Sequence, residues 1–208
     1  MILFKNKRYE TKDKKLTPTT YNFPQLYEGD TFNGISITAR QSQGDQFSVS
    51  SINRVGSTAT VVTSEVHGLS TSNLVKITGA NEINYNQVFV VTVIDTTTFA
   101  FTVLNEPATP ATGIVKGQKM IPIDLTNVAI KMEIRQSETA KNYLKQFIVD
   151  SGITKTDAAN GVFRIDAFIA DLPSTSYVYD LQFTYNSGVV ATYLKGKVTV
   201  INEVTSNG

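Results

Sequence analysis

The sequence predicts an all-β protein with more than one module, and three observations lead there. First, 41% of the 208 residues are hydrophobic and 10% aromatic, enough to bury a real core, whereas only 18% are charged. A low-charge chain rich in Thr and Val suits pleated sheets, where branched side chains pack well. Second, Val128, Ile130, Met132 and Ile134 alternate with Ala129, Lys131, Glu133 and Arg135, the period of two of a half-buried strand. Third, residues 47–117 break into short apolar runs separated by turn-forming residues, the pattern of a small β-barrel that closes on itself. The length allows one large or two small domains.

Residues 1–22 read as an extended N-terminal arm, in which Pro18 and Pro24 disfavour a helix. Its first fifteen residues carry six basic side chains (Lys5, Lys7, Arg8, Lys12, Lys14, Lys15) and two acidic ones (Glu10, Asp13). They therefore hold +4 of a net +1 chain, and the remainder is −3. Such an arm is either a solvated terminus or a docking element for an acidic partner, with Tyr9, Tyr21 and Phe23 as candidate anchors. A strand over Thr31–Arg40 follows, then a polar stretch from Gln41 to Gln46. Within the 47–117 block, strands are expected at Thr58–Thr63, Leu74–Thr78 (closed by Gly79), Gln87–Asp95 and Phe99–Val103. Thr96-Thr97-Thr98 forms a hairpin connection, and Glu106–Gly113 a loop. The third stretch begins with Ile121–Thr126 and continues with strands at Val128–Arg135, Gly161–Phe168, Tyr177–Tyr185 and Val189–Ile201. Asn186-Ser187-Gly188 turns the last hairpin. In 137–149, Ala140, Tyr143, Leu144, Phe147 and Ile148 fall at helical spacing, but the branched and aromatic content favours a strand after one helical turn at Ser137–Ala140.

The groups that carry chemistry are sparse. There is no cysteine, hence no disulfide and no thiolate metal site. No apolar run approaches the roughly 18 residues of a membrane helix. Met1-Ile2-Leu3-Phe4 precedes its charges, the reverse of a signal peptide, so a soluble protein made in the cytoplasm and not exported by that route is expected. His67 is the single histidine. It cannot build an imidazole-rich zinc site, and no Gly-x-Ser-x-Gly elbow accompanies it, so a turn residue packing on the barrel or capping a loop is expected. Gly196-Lys197 lacks the rest of a phosphate loop. Asp166, Asp171 and Asp180 are scattered, a poor basis for a catalytic pair. Glu28 and Asp30, or Asp171, lack calcium-loop spacing. Tyr177, Tyr179 and Tyr185 are either a stacking platform or core residues with polar tips. A non-enzymatic protein follows, with no catalytic, cofactor-binding or metal residues assigned.

Two sets of residues resemble known modules. Thr63-Ser64-Glu65-Val66-His67-Gly68-Leu69, Leu74-Val75-Lys76-Ile77-Thr78-Gly79, Asn84, and Val88 through Phe99 resemble a small β-barrel common in phage tail and other virion proteins, which is also inserted in ubiquitin-activating enzymes. The flanking stretches Tyr27–Phe32, Ile121–Val128, Lys131–Arg135, Leu172-Pro173, Tyr177–Leu181 and Gly196–Val200 resemble the immunoglobulin-like N-terminal domain of phage baseplate upper proteins. Asn127 stands where that pattern has glycine, and Asn tolerates the left-handed conformation. The resemblance implies an immunoglobulin-like β-sandwich (23–46 and 118–205) split by an inserted small β-barrel (47–117), with the arm at 1–22. It further implies a structural component of a bacteriophage particle, in the tail, baseplate, collar or head–tail region. Its partners would be other virion proteins and copies of itself in a ring or other homo-oligomer, the arm docking on a neighbouring subunit, and its location the virion. No cofactor and no membrane partner are expected. The alternative is a carbohydrate- or receptor-binding module. An enzyme, or a nucleic-acid binder acting through the basic arm, ranks below both.

Overall fold

The computed structural model describes residues 18–202. Strands dominate, and a 3-10 turn at Ile83–Tyr85 is the one helical element among the described residues. In chain order, β1 (Thr19–Thr20), β2 (Leu26–Tyr27), β3 (Thr31–Phe32) and β4 (Ile35–Thr38) come first. Next are β5 (Arg40–Ser42), β6 (Phe47–Val55), β7 (Thr58–Thr63), β8 (Leu74–Ala80), β9 (Val88–Val90), β10 (Thr92–Val93), β11 (Thr98–Thr102) and β12 (Gly113–Pro122). Last are β13 (Ala129–Arg135), β14 (Lys145–Val149), β15 (Gly152–Asp157), β16 (Val162–Ile165), β17 (Phe168–Ile169), β18 (Ser176–Thr184) and β19 (Val190–Ile201). The chain divides into two compact units: Ala39–Ile123 is one, and the segments before and after it form the other. The basic stretch 1–15 lies outside the described residues.

The inserted unit is larger than expected, 39–123 rather than 47–117. The reason is a pairing that the polar stretch 41–46 conceals. β5 lies antiparallel on the end of β12, Arg40 opposite Pro122 and Ser42 opposite Met120, and Ile123 N donates to Ala39 O at 3.0 Å. The incoming and outgoing chains thus leave the unit side by side. Ile121–Ile123 ends this unit instead of beginning the next. Buried Gln118 fastens the loop between β5 and β6 by donating Nε2 to the carbonyls of Gln43 (3.1 Å) and Gly44 (2.9 Å).

Its sheet runs β10-β11-β7-β6-β12-β8-β9, with β5 beside β12. The two ends of that path, β9 and β10, are consecutive in sequence and separated by Val91 alone, so the chain itself brings the sheet close to a closed barrel. The expected continuous strand Gln87–Asp95 therefore breaks at Val91, where the partner changes from β8 to β11. β6 escaped the sequence reading because a register shift between Val49 and Ser51 reverses its alternation. Inside, Ile52, Val61, Val75, Ile77, Phe99 and Tyr85 are fully buried. Phe89 stacks on Phe101 with ring centroids 3.9 Å apart. Gly79 has φ +84° and faces β12, where a Cβ would overlap the Ile114 carbonyl.

In the other unit, the main path is β1-β19-β18-β13-β14-β15-β16-β4, with β2 also on β19 and β17 paired separately with β3. These strands form one curved, half-barrel sheet. Its halves join where β14 meets β15 through two parallel pairs, Ile148–Gly152 and Val149–Ile153. Across the interior, Phe163 of β16 meets Phe183 of β18 edge-on at 5.9 Å. A chain of rings runs Phe147, Phe168, Phe32, Phe23, Tyr179, each 4.9–5.3 Å from the next. The expected strand Thr31–Arg40 is broken into three by the Asn33-Gly34 turn and by buried Ala39, and each piece has a different partner. Ser137–Ala140 forms one turn, with Ala140 N donating to Ser137 O, and the segment after it is strand β14. Tyr177, at the start of β18, donates its hydroxyl to Pro173 O at 2.6 Å. This is the back-bond of a tyrosine corner.

Replacing Gly79 by Ala is expected to cost about 2 kcal/mol or more, since it adds both left-handed strain and a backbone overlap. Urea denaturation checks it. Gly44→Ala is the control for strain without overlap, because open space surrounds Gly44 (φ +70°).

Candidate functional site

Of the two readings of the β18 tyrosines, core residues or stacking platform, the structure supports the core, and the scattered aspartates stay apart as their spacing predicts. Tyr177 and Tyr179 are core residues, 1% and 4% exposed. Their rings face inward because β18 alternates Tyr177, Tyr179, Leu181 and Phe183 against Val178, Asp180 and Gln182. Burial pushes both phenols upward in pKa. Tyr185 is half-buried beyond the strand end. Asp166 accepts from Thr154 Oγ1 at 2.9 Å, Asp171 pairs with Lys145, and Asp180 accepts from Gln182 Nε2 at 3.2 Å, so each is engaged separately. Asp30 lines a cavity of about 270 Å³ with Tyr27, Phe32 and Asn33. Among the described residues no His, Asp and Glu side chains gather in a metal-holding group.

His67 serves the barrel. Its Nδ1 accepts from Leu69 N at 3.0 Å, and its ring sits edge-on to buried Phe99 at 5.4 Å. The bond to Leu69 needs Nδ1 unprotonated, which places the proton of the neutral ring on Nε2. Nε2 is buried and makes no hydrogen bond. Gly68, with φ +62°, turns the chain so that Leu69 enters the core. Val75, Ile77 and Phe99 are core residues too. Asn84 offers only its backbone carbonyl, to Gln87. The working asparagine is Asn86, whose side chain makes both hydrogen bonds to the backbone of Ala80, at 3.0 and 2.7 Å.

A cavity of about 670 Å³ lies on the outward face of β13, β18 and β19, within the usual size range of ligand pockets. Register builds its floor. Gln146, Glu133, Asp180, Lys195 and Thr20 sit opposite one another across five adjacent strands. Pro18, Thr20 and Asn22 wall one side, and Ser137 and Glu138 the other. Glu133 is the anchor, 6% exposed although it is on the polar face. One carboxylate oxygen takes Gln146 Nε2 at 2.9 Å and Lys131 Nζ at 3.2 Å. The other takes Arg135 through Nε, at 3.1 Å, and a terminal nitrogen. Arg135 also donates to Ala140 O at 2.9 Å, holding the turn that forms the far wall.

Burial raises the Glu133 pKa. The donors outweigh it, Arg135 first and then Gln146 and Lys131, and bring it from 4.5 down to about 2. A general acid or base needs a pKa near the working pH, so Glu133 positions neighbours and does not shuttle protons at neutral pH. The Lys131-Glu133-Arg135 spacing was visible in the sequence as like-facing opposite charges. The burial was not, because Gln146 and the turn at 137–140 supply it from a distance. Comparison with protein-family models and with curated proteins finds no match to this chain.

Glu133 has a depressed folded-state pKa, so its stabilisation is complete above the unfolded pKa of about 4.5 and is lost as pH falls towards about 2. Glu133→Gln is therefore expected to cost on the order of 2–3 kcal/mol at pH 7, and much less at pH 2.5. Denaturation midpoints of both proteins across that window check it.

Proposed function

We propose that this chain is a structural component of a bacteriophage particle, in the tail, baseplate, collar or head–tail region, working through protein–protein contacts in a symmetric assembly. The observation that carries this reading is the use to which the recognisable residues are put. His67, Gly68, Leu69, Val75, Ile77, Gly79 and Phe99 cap, turn or fill the barrel, and on the sandwich side Tyr177 ties its own corner to Pro173. The resemblance therefore lies in scaffold residues and not in reactive ones. A barrel brought close to closure by its own chain, its two ends side by side, is a module that can be inserted in a loop at little entropic cost. The tyrosine corner supports the immunoglobulin-like reading of the other unit. A non-catalytic role fits Glu133, whose pKa is pushed down and whose carboxylate is locked between cations.

A second reading, a carbohydrate- or receptor-binding module, is favoured by the 670 Å³ groove, where Asn22, Asp180, Gln182 and Thr192 offer donors and acceptors to a hydroxyl-rich ligand. Glycan-array binding abolished by Asp180→Ala would support it, and silence of the intact protein would remove it.

Quantitative mass spectrometry of purified particles, normalised to the major capsid protein, tests the first reading. A fixed copy number that is a multiple of a ring symmetry is expected. Absence from the particle would overturn it.

A further inference from the structure

The chain from Thr19 to Tyr27 is a strap laid along the outer edge of β19. It runs parallel to β19, pairing first at Thr19 and Thr20 and again at Leu26 and Tyr27. Between these pairings, Tyr21 N and Phe23 N donate to the Lys195 and Lys197 carbonyls at 2.9 and 3.0 Å. The Asn22 side chain accepts from Lys197 N at 3.0 Å, and Tyr179 donates its hydroxyl to Tyr21 O at 2.7 Å. The seat is shaped for this strap. A Cβ on Gly196 would overlap the Tyr21 carbonyl, and Phe23 fills a slot edge-on to Tyr179 at 5.0 Å.

We propose that this strap exchanges between copies, so that the 19–27 segment of one chain occupies the β19 seat of a second copy. The inference rests on the assembly reading, which it deepens by naming the surface and its occupant. Three features select a second copy. The strap precedes every other described strand of its unit, and its two strands pair with β19 alone, so lifting it breaks no other strand pairing. Its last bond to β19 is Glu28 N to Ile201 O, and the next, Gly29 N, goes to Ala170 O. The handover therefore falls on a glycine with φ +86° and open space around it, a hinge free to extend. The fifteen residues at the head of the chain hold +4 against −3 for the rest, which draws the leading segment of one copy towards the body of another. Exchange keeps every contact of the seat, so its main cost is association entropy, which falls when copies are held together in an assembly.

The chain contains no cysteine, and Thr20 and Lys195 are aligned partners, which allows a direct test. Full-length Thr20→Cys carrying a tag and full-length Lys195→Cys without one are mixed at high concentration under mild oxidation. A mixed disulfide dimer is expected in several-fold excess over either same-residue dimer, and adding Gly196→Val to the Lys195→Cys chain should suppress it. The double variant Thr20→Cys/Lys195→Cys in one chain calibrates the geometry. If it closes internally while the mixture yields no excess of mixed dimer, exchange is overturned. If it fails to close, the seat itself is overturned. Neither result alters the particle copy number, so failure here and failure of the assembly reading are separable.

Discussion

Satisfying strand edges is the constraint on which both units depend. A strand that ends a sheet presents a row of unpaired donors and acceptors, and this chain answers that in two ways. In the inserted unit, Val91 passes the chain from the β8 edge to the β11 edge, so the sheet's two ends are one continuous segment. In the other unit, β19 is covered by the strap, and Gly196 exists as glycine because the strap's backbone comes too close for any side chain. The first solution is permanent, since the link between the two ends lies within the fold. The second is a local cover, held by a short run of hydrogen bonds and by buried Phe23 and Leu26.

The outward face of the sheet shows a related economy. Glu133 sits where alternation demands a polar residue, yet it is almost completely enclosed. Burying a carboxylate is costly unless cations and donors surround it. Lys131, Arg135 and Gln146 do so, and Arg135 extends the arrangement to the carbonyl of Ala140. The same ion cluster thus fixes a groove wall and joins β13 to the turn that precedes β14.

Much of the architecture was legible in the sequence because period-two alternation and turn residues are local signals. β7, β11 and β13 fall where alternation puts them, and Asn186-Ser187-Gly188 turns the last hairpin, with Gly188 N donating to Tyr185 O. Legibility failed where tertiary pairing overrode the local pattern. The bulge in β6 reverses its phase. The apolar run 87–95 serves two edges and breaks at Val91. Polar Arg40–Ser42 is a strand only because β12 lies beside it. For the site, the period of Tyr177 and Tyr179 was legible, but the choice between core and stacking platform fell to the structure, since alternation alone cannot say which side of a sheet is the core.

The sequence by itself determined that the protein is all-β, that a self-contained module interrupts it, and that thiol chemistry is absent. Each of these follows from composition or from contacts between near neighbours in the chain. Only the tertiary structure decided where the module begins, that Glu133 is buried, that Asn86 and not Asn84 braces the barrel, and that residues 19–27 lie on β19. Each of these depends on residues brought together from distant parts of the chain, Tyr21 with Gly196, Glu133 with Gln146 and Arg40 with Pro122. A linear pattern contains no record of which strands become neighbours.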